Sequence, residues 1–275
     1  MTPPEPCRLC GADAASVGRQ MLLGRHEVAY FQCPRCELIF TERPHWLGEA
    51  YSHAISQLDT GAVERNQLCA RMTLLLAVTL GLAPEATALD YGGGHGVFVR
   101  MMRDLGMDFR WFDPHGENLF ARGFEGDPAR HHALVTAFEV LEHFADVAAD
   151  LDRLFAGRPD VLFVGTELHD GYRPGWWYFM LESGQHVCFY SARTMDAIGE
   201  RHGYDVFAGP QHTAFVRRDA SIASGRRRLL AGLVARPSVT QPLVSLLPAP
   251  LLRWLTPYRS RLLADHEELR RRMQP

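Results

Sequence analysis

Four of the six cysteines stand in two pairs of equal spacing, Cys7 with Cys10 and Cys33 with Cys36. Two C-x-x-C steps separated by 22 residues are typical of a zinc ion held by four thiolates. Two disulfides, free core thiols and a redox C-x-x-C are the alternatives, and the first is disfavoured because no export signal precedes the pairs. Since protein ligands would fill all four positions, the zinc is predicted to be structural. Residues 1–45 are predicted to form a small zinc ribbon.

A glycine-rich turn is the second group with a chemical meaning. Residues 87–91 form a short apolar run that predicts a buried strand, and a helical pattern resumes at Val97. Between them stand Gly92, Gly94 and Gly96, which let the main chain approach a ligand closely. Strand, glycine turn and helix form the ligand-binding corner of a doubly wound sheet. The spacing does not fit the dinucleotide fingerprint G-x-G-x-x-G.

The pattern Asp90-x-Gly92-x-Gly94-x-Gly96 resembles motif I of the class I S-adenosylmethionine-dependent methyltransferases. In that family the glycines allow the main chain to approach the nucleoside and the methionine carboxylate of the cofactor. The acid at the strand end engages the cofactor's positive methionine amine, directly or through water. The resemblance therefore implies S-adenosylmethionine as the cofactor and assigns Asp90 to its amine.

Two further segments extend this resemblance. Asp113 follows the next predicted strand, where Rossmann-type folds place an acid that bonds ribose hydroxyls. A predicted strand over 134–138 leads into a segment that resembles the family's region after strand four, which implies cofactor contact at Phe138. The resemblance covers about residues 83–217 and implies a Rossmann-like, doubly wound α/β fold with a seven-stranded sheet.

A histidine in the loop after the predicted fifth strand is the candidate catalytic group. Methyl transfer to a hydroxyl or an enolisable carbon requires proton removal, and an imidazole titrating near neutrality suits this task. Residues 182–190 resemble a segment of bacterial methyltransferases with an N-terminal four-cysteine module, and the catalytic segment of zinc-containing sugar C-methyltransferases. The resemblance implies that His186 is the base, that Glu182 orients it and that Tyr190 bonds the acceptor. A histidine satisfied within the core is the alternative.

A second chemical group is the E-x-x-E-H step formed by Glu139, Glu142 and His143. It resembles the corresponding string of ubiquinone-pathway and small-RNA 2'-O-methyltransferases, where such groups bind a divalent ion that organises the acceptor hydroxyl. The resemblance implies a Mg²⁺ site with His186 as the fourth ligand. Because many relatives keep this string without any metal, a metal-free turn is the alternative.

Composition limits the class of protein. The net charge of -3 comes from 29 basic and 32 acidic residues, so no nucleic-acid partner is favoured. All basic residues are Arg, and the absence of Lys excludes a pyridoxal-phosphate Schiff base and a P-loop NTPase. No apolar run approaches the roughly 18 residues of a membrane-spanning helix, and no export signal is present. A cytoplasmic protein is expected.

The chain is divided by its patterns into four parts. After the zinc ribbon, residues 46–82 are assigned to a linker and helix, 83–218 to the methyltransferase domain and 219–275 to an Arg-rich helical tail. The tail has ten Arg against four acids and could contact a membrane surface peripherally, bind a partner subunit or pack on the sheet. Its helices are limited to short pieces by four prolines, Pro237, Pro242, Pro248 and Pro250.

The sequence therefore predicts methyl transfer from S-adenosylmethionine to a hydroxyl or carbon of a nucleotide sugar or surface glycan, with a His general base. Trp176 and Trp177 could stack on a sugar or planar substrate, or pack in the core. One alternative is a Mg²⁺-dependent O-methyltransferase acting on RNA or on a quinone-like small molecule. A non-catalytic binding module with a methyltransferase fold is the other. The choice between O- and C-methylation and the oligomeric state are left open.

Overall fold

The computed structural model describes residues 3–51, 60–236, 240–242, 245 and 256–273. The strands in these residues are β1 (Glu5–Pro6), β2 (Asp13–Leu22), β3 (His26–Gln32), β4 (Ile39–Thr41), β5 (Thr87–Tyr91), β6 (Asp108–Phe112), β7 (Leu134–Phe138), β8 (Val161–Gly165), β9 (Cys188–Phe189), β10 (Tyr204–Ala208) and β11 (His212–Arg217). Helices with both ends described are α1 (Leu47–Ala50), α2 (Ala62–Leu80), α3 (Val97–Asp104), α4 (Val147–Leu154), α5 (Ala192–His202), α6 (Ser224–Ala235) and α7 (Leu262–Arg272). The tail prolines Pro237, Pro248 and Pro250 lie outside the described residues.

The central element is a mixed sheet with the strand order β10-β11-β8-β7-β5-β6. The four strands β8, β7, β5 and β6 run parallel, β11 pairs antiparallel with β8, and the edge strand β10 pairs antiparallel with β11. The parallel strands are continuous apolar runs, as in β8, where all five residues are buried. Such runs are typical of strands covered by helices on both faces. The predicted Rossmann-like α/β fold is confirmed.

The predicted seventh strand of this sheet is not found in the described residues, which contribute six. Between β6 and β7 the chain makes only a single parallel bridge, from Glu125 to Trp111. Two hydrogen bonds accompany it, from Trp111 N to Phe124 O and from Gly126 N to Trp111 O. Gly126 and Pro128 follow directly, and both residue types disfavour strand extension. The strand expected at this edge is therefore reduced to one bridge.

Two apolar cores lie on the opposite faces of the sheet. Helices α2, α3 and α6 pack over one face, where Leu76, Val99 and Leu230 are fully buried. Helices α4 and α5 cover the other face through Leu151 and Ile198. Among the described residues, no helix has the length and apolar character needed to cross a membrane.

The four-cysteine module has an antiparallel sheet of its own, in the order β1-β2-β3-β4-β9. Its last strand, β9, comes from the loop before α5, and it pairs Phe40 with Cys188 and Ile39 with Phe189. Cys36 and Leu38 of the module belong to the same buried cluster as the residues of α4 and α5. The module therefore packs directly onto the central domain and shares a sheet with the loop before α5.

Candidate functional site

The glycine turn after β5 is tied to the end of β6. Gly92, Gly94 and Gly96 have φ angles of 73°, 51° and 84°, in the left-handed region that side chains rarely adopt. Asp113 Oδ2 accepts a hydrogen bond of 2.9 Å from Gly94 N, while its Oδ1 accepts from His115 N and Gly116 N. The predicted ribose acid therefore also holds the turn in shape. The cofactor contacts of these residues remain predictions.

Asp90 is buried at the end of β5, behind the same turn. Its Oδ1 accepts a hydrogen bond of 2.7 Å from Thr136 Oγ1 on the neighbouring strand β7. Burial raises the pKa of the Asp90 carboxyl to about 7, with the charge of Asp113 acting in the same direction. A buried acid with one hydroxyl donor gains from a cationic partner, because a positive charge stabilises its ionised form. This environment suits the predicted contact with a ligand ammonium group.

Phe138, the third predicted cofactor element, ends β7. Its ring makes edge contacts with Phe98 and Phe163, at centroid distances of 5.2 and 5.5 Å. It also fills the space above Gly165, where an added Cβ would lie 2.8 Å from the Phe138 ring. The side chain thus belongs to the core, and the predicted cofactor contact would fall to the main chain that follows it.

Three side chains of the candidate acceptor site come together beside this corner. Each of Glu142, His143 and His186 offers one ligand atom, and the three atoms lie within 4.8 Å of one another. The first two stand in a 3-10 turn after β7, and the third stands two residues before β9. The turn and the β9 segment are joined by a hydrogen bond of 2.8 Å from Val187 N to Glu142 O. The structure thus brings together His186 and part of the E-x-x-E-H step.

Hydrogen bonds orient the side chains of this cluster. His186 Nδ1 lies 2.7 Å from Tyr178 O, and since a carbonyl only accepts, Nδ1 carries the proton and Nε2 keeps a lone pair. His143 Nδ1 lies 3.2 Å from Gln185 O, which fixes the same tautomer. Glu142 Oε1 accepts from Tyr178 Oη at 2.8 Å, whereas its buried Oε2 has no hydrogen-bond partner among the described residues.

Burial sets the charge of His186. It lowers the pKa of this imidazole to about 4, against the opposing effect of the Glu142 charge. His186 is therefore neutral at physiological pH. A neutral imidazole can bind a cation or accept a proton, but a pKa this low makes it a weak base. A neutral imidazole, a second imidazole and an acid whose ligand atoms lie within 4.8 Å of one another form an environment suited to a cation.

Two predicted partners of His186 are found elsewhere. The Glu182 side chain is exposed and makes no hydrogen bond or ion pair with any described residue, so the prediction that it orients His186 is not met. The acid beside His186 is Glu142. The hydroxyl of Tyr190 is buried and donates to Leu141 O at 2.8 Å, next to the Cys188 thiol at 3.2 Å. Tyr190 therefore supports the turn that carries Glu142 and does not face an acceptor.

Tyr178 and Tyr51 contact this cluster, and the sequence analysis did not single out either. Tyr178 lies in the aromatic run that was considered for stacking, and its buried hydroxyl bridges Glu142 and Thr166. Tyr51 follows α1, and its hydroxyl lies 2.9 Å from His143 Nδ1. An aromatic residue 92 positions before its histidine partner gives no pattern that a sequence could reveal.

The E-x-x-E-H step contributes two of its three predicted ligands. Glu139 is not part of the cluster found among the described residues. It begins the turn with a φ angle of 54°, which turns the chain away from β7. The cluster therefore has two imidazoles and one carboxylate, a different donor set from the one predicted.

The four cysteines of the N-terminal module form the second group able to hold a metal. Their sulfur atoms lie within 4.8 Å of one another, with 3.5 Å between Cys7 and Cys36 and between Cys10 and Cys33. A tetrahedral zinc with bonds of about 2.3 Å places its sulfurs about 3.8 Å apart. All four thiols are free of disulfides. The disulfide alternative is therefore not what the structure contains.

Both C-x-x-C steps fold in the same way. Gly11 N donates to Cys7 O and Glu37 N donates to Cys33 O, which closes two equivalent turns. The residues that follow the second cysteine of each pair, Gly11 and Glu37, have φ angles of 71° and 64°. Main-chain N–H groups of the second turn also point at Cys33 Sγ. Paired turns of this kind bring four sulfurs to one point.

Solved structures with a similar arrangement are methyltransferases, but the similarity is low. CalO1, a methyltransferase of calicheamicin biosynthesis in its SAH-bound form, is 18% identical over 63% of this chain, with a TM-score of 0.41. The chain spans 60% of the length of CalO1. Magnesium protoporphyrin IX methyltransferase from Synechocystis PCC 6803 with bound SAH is 14% identical over 62% of this chain and 92% of its own, with a TM-score of 0.44. The mitomycin 7-O-methyltransferase MmcR is 22% identical over 63% of this chain and 60% of its own, with a TM-score of 0.43.

The family assignment comes from the sequence of the central domain. No curated protein sequence matches the chain. Residues 63–208 match a family described as a methyltransferase domain. This range begins in α2, contains the glycine turn and the acceptor cluster, and ends with β10. Because the match spans more than half of the 275 residues, the chain belongs to this methyltransferase family, and the prediction of a methyltransferase domain is confirmed.

Proposed function

We propose that the chain methylates a hydroxyl group of its acceptor, which binds beside a divalent cation held by Glu142, His143 and His186. The carrying observation is the convergence of one ligand atom from each of the three side chains within 4.8 Å, together with the buried Glu142 Oε2, which has no hydrogen-bond partner among the described residues. A bound divalent cation would lower the pKa of the acceptor hydroxyl. The donor set of two imidazoles and one carboxylate suits Mn²⁺ or a related transition ion better than the Mg²⁺ predicted from the sequence.

The reaction is a direct displacement. The sulfonium carbon–sulfur bond of S-adenosylmethionine breaks as a carbon–oxygen bond to the acceptor forms, and the hydroxyl proton leaves to solvent. The products are the methyl ether and S-adenosylhomocysteine. Within this step, Asp90 and Asp113 would hold the cofactor, and Tyr178 fixes both Glu142 and His186 by hydrogen bonds. Correct alignment of the reacting atoms supplies most of the rate enhancement in such reactions.

Binding of Mn²⁺ tests this proposal without knowledge of the acceptor. Electron paramagnetic resonance, which measures free Mn²⁺, should show one binding site on the wild type. The affinity of this site for Mn²⁺ should fall at least about tenfold in Glu142→Gln, since a ligand is lost. The matched control is Glu182→Gln, which removes an exposed acid of the neighbouring loop and should bind as the wild type does. A wild type without a Mn²⁺ site, or equal affinities in both variants, would contradict the proposal.

A metal-free reaction with His186 as the general base is the second candidate. The free lone pair on Nε2, fixed by the Tyr178 carbonyl, supports it. In this case turnover should resist EDTA and fall at least about 10²-fold in His186→Ala, the usual contribution of a base. The cation proposal instead requires that EDTA abolishes turnover and that Mn²⁺ restores it.

We propose a sugar hydroxyl, on a nucleotide sugar or a glycan, as the acceptor. The supporting observation is the Trp177 side chain, which is 64% exposed and lies 5.2 Å from the ring of Tyr178. An exposed indole beside the cluster offers a flat surface on which an apolar sugar face can stack. Incubation with labelled S-adenosylmethionine and a panel of nucleotide sugars, phenols and RNA oligonucleotides should transfer label to a sugar. Label on phenol or RNA alone would exclude this substrate class.

We also propose that the four cysteines bind one structural zinc ion. The short sulfur distances and the two equivalent turns support it. Elemental analysis should find one zinc per chain in the wild type and in Cys69→Ser, whose thiol lies in α2. Cys36→Ser should lose the metal, and equal zinc contents in the two variants would refute the assignment.

A further inference from the structure

The segment that carries His186 is held on one side by Trp46 and α1 and on the other side by the four-cysteine module. Upstream of His186, the chain accepts a hydrogen bond of 2.8 Å from Trp46 Nε1 at Gly184 O, and Gln185 Nε2 donates to Ala50 O at 2.9 Å. Downstream, Thr41 N donates to Val187 O, and β4 pairs with β9. These contacts join the module and α1 to residues immediately before and after the histidine.

Within the part of the chain that the structure describes, the cofactor corner has no such contacts. Its hydrogen bonds, those of Asp90 and Asp113 and those of the turn between Gly92 and Gly96, come from partners within residues 90–136. The two halves of the site thus depend on different parts of the chain. Removal of a contact from the module should alter the acceptor half and leave the cofactor half as it is.

Tyr51, which follows α1, contacts the cluster directly. Its hydroxyl is 2.9 Å from His143 Nδ1, and Gln185 O is 3.2 Å from the same nitrogen. Because the Gln185 carbonyl can only accept, the Nδ1 proton is shared between two acceptors, Tyr51 Oη and Gln185 O. Gln185 is itself held through its side chain by Ala50 O. Both acceptors that set the His143 tautomer are therefore placed by the chain around α1.

We infer that the four-cysteine module with α1 builds the acceptor half of the site, and that Tyr51 is a positioning residue for His143. The inference rests on the proposed role of His143 as a cation ligand. Outer hydrogen bonds to a ligating imidazole fix its tautomer and its orientation, and their loss usually weakens metal binding 10- to 100-fold. The module is then part of the reaction site and not a separate docking unit.

The variant Tyr51→Phe tests this inference, with Tyr172→Phe as the matched control. Tyr172 accepts a hydrogen bond from Gln20 Nε2, so its removal also deletes one hydroxyl contact between the module and the acceptor loop. Tyr51→Phe should weaken Mn²⁺ binding at least tenfold. It should also change the ¹⁵N chemical shifts of the His143 ring in the metal-free protein, where the His143 signals are assigned by comparison with His143→Gln. Tyr172→Phe should change neither, and both variants should bind S-adenosylhomocysteine within about twofold of the wild type.

The readouts separate this inference from the proposed function. If the wild type binds no Mn²⁺, the cation proposal fails, and the ¹⁵N shifts of His143 alone decide whether Tyr51 sets its tautomer. Wild-type shifts in Tyr51→Phe would overturn the positioning role. Equal effects of the two variants on Mn²⁺ and on the ring shifts would also overturn it, because the module would then act only through general stability.

Discussion

The two carboxylates of the cofactor corner have different surroundings. Asp113 accepts three main-chain N–H groups, which stabilise an anion. Asp90 is buried with a single hydroxyl donor, and burial raises its pKa to about 7. Ionised Asp90 thus costs free energy in the empty protein, and a bound ammonium group would recover that cost. Ionised Asp90 therefore destabilises the ligand-free fold, and a positively charged ligand group would remove this destabilisation when it binds.

Asp90→Asn should therefore stabilise the ligand-free protein at high pH and weaken the binding of the cofactor. The amide keeps the hydrogen bond from Thr136 but carries no charge to desolvate. Because burial raises the pKa of Asp90 from its ordinary value near 3.8 to about 7, the gain in unfolding free energy should grow from below about 1 kcal/mol at pH 4 to about 4 kcal/mol at pH 8.5. Urea unfolding at several pH values measures it, and calorimetry should show at least tenfold weaker S-adenosylmethionine binding.

The control for this prediction is Asp219→Asn, which changes an exposed acid at the surface. It should leave both the pH profile and the cofactor affinity close to those of the wild type. A stability difference between Asp90→Asn and the wild type that does not vary with pH would show that Asp90 is not the buried, titrating acid described here.

At the level of single residues, sequence reasoning located His186 but not its partners. Glu182, four positions before His186, was expected to orient it. The acid that lies beside His186 is instead Glu142, which stands 44 positions before it in the sequence. Strand pairing and a 3-10 turn create this neighbourhood, and neither leaves a periodic signal in the sequence. Short motifs predict which residue types are present, whereas the fold decides which of them meet.

At the scale of elements, the central domain was predictable because its strands are apolar runs that end at glycine or acid. The predicted strands over 87–91 and 134–138 coincide with β5 and β7, and the helical pattern that resumes at Val97 corresponds to α3. The two-residue strand β9 had no such signal. Its pairing with β4 depends on contacts between distant segments, which a local pattern does not encode.

The C-terminal helix α7 is fixed by a buried ion-pair network. Asp265, 2% exposed, accepts hydrogen bonds from Arg103 Nε and Nη2 at 2.8 and 2.7 Å, and Arg100 adds a third at 2.8 Å. Arg103 is fully buried and stacks on Phe124. This part of the tail packs on the domain as an appendage, one of the alternatives considered from the sequence, and the membrane contact stays a prediction.

Asp265→Ala should therefore destabilise the protein by about 3 kcal/mol, because it leaves Arg103 buried with only Asp108 as a charge partner. Its matched control, Glu268→Ala on the same helix, breaks an exposed pair with Arg272 and should cost less than about 0.5 kcal/mol. Urea denaturation compares the two. Equal losses would show that α7 contributes through helix packing and not through its buried charge.

At the scale of the whole molecule, a buried acid and buried histidines change protonation over overlapping pH ranges, with opposite effects on the stability of the fold. Asp90 takes up a proton more readily in the folded state, so its contribution to stability rises as the pH falls from 7 toward 4. His186 and His212, with pKa values lowered to about 4 by burial, are protonated more readily in the unfolded state. Their contribution falls as the pH decreases from 6.5 to 4. The acid response of the fold is thus a difference between two opposing effects.

The variant His212→Phe should isolate the contribution of one buried histidine to this pH dependence. His212 lies in β11 and stacks on Phe163 at 5.4 Å, so a phenyl ring can occupy the same place without titrating. Between pH 7.5 and 5 the wild type should lose about 2 kcal/mol more unfolding free energy than the variant, since 1.5 pH units of the histidine shift are traversed. The four cysteines, Asp90 and His186 are common to both proteins, so their pH dependence cancels in the comparison. Parallel urea-stability profiles over this range would mean that His212 is hydrated, and that the apolar face of the sheet beneath it is open to water.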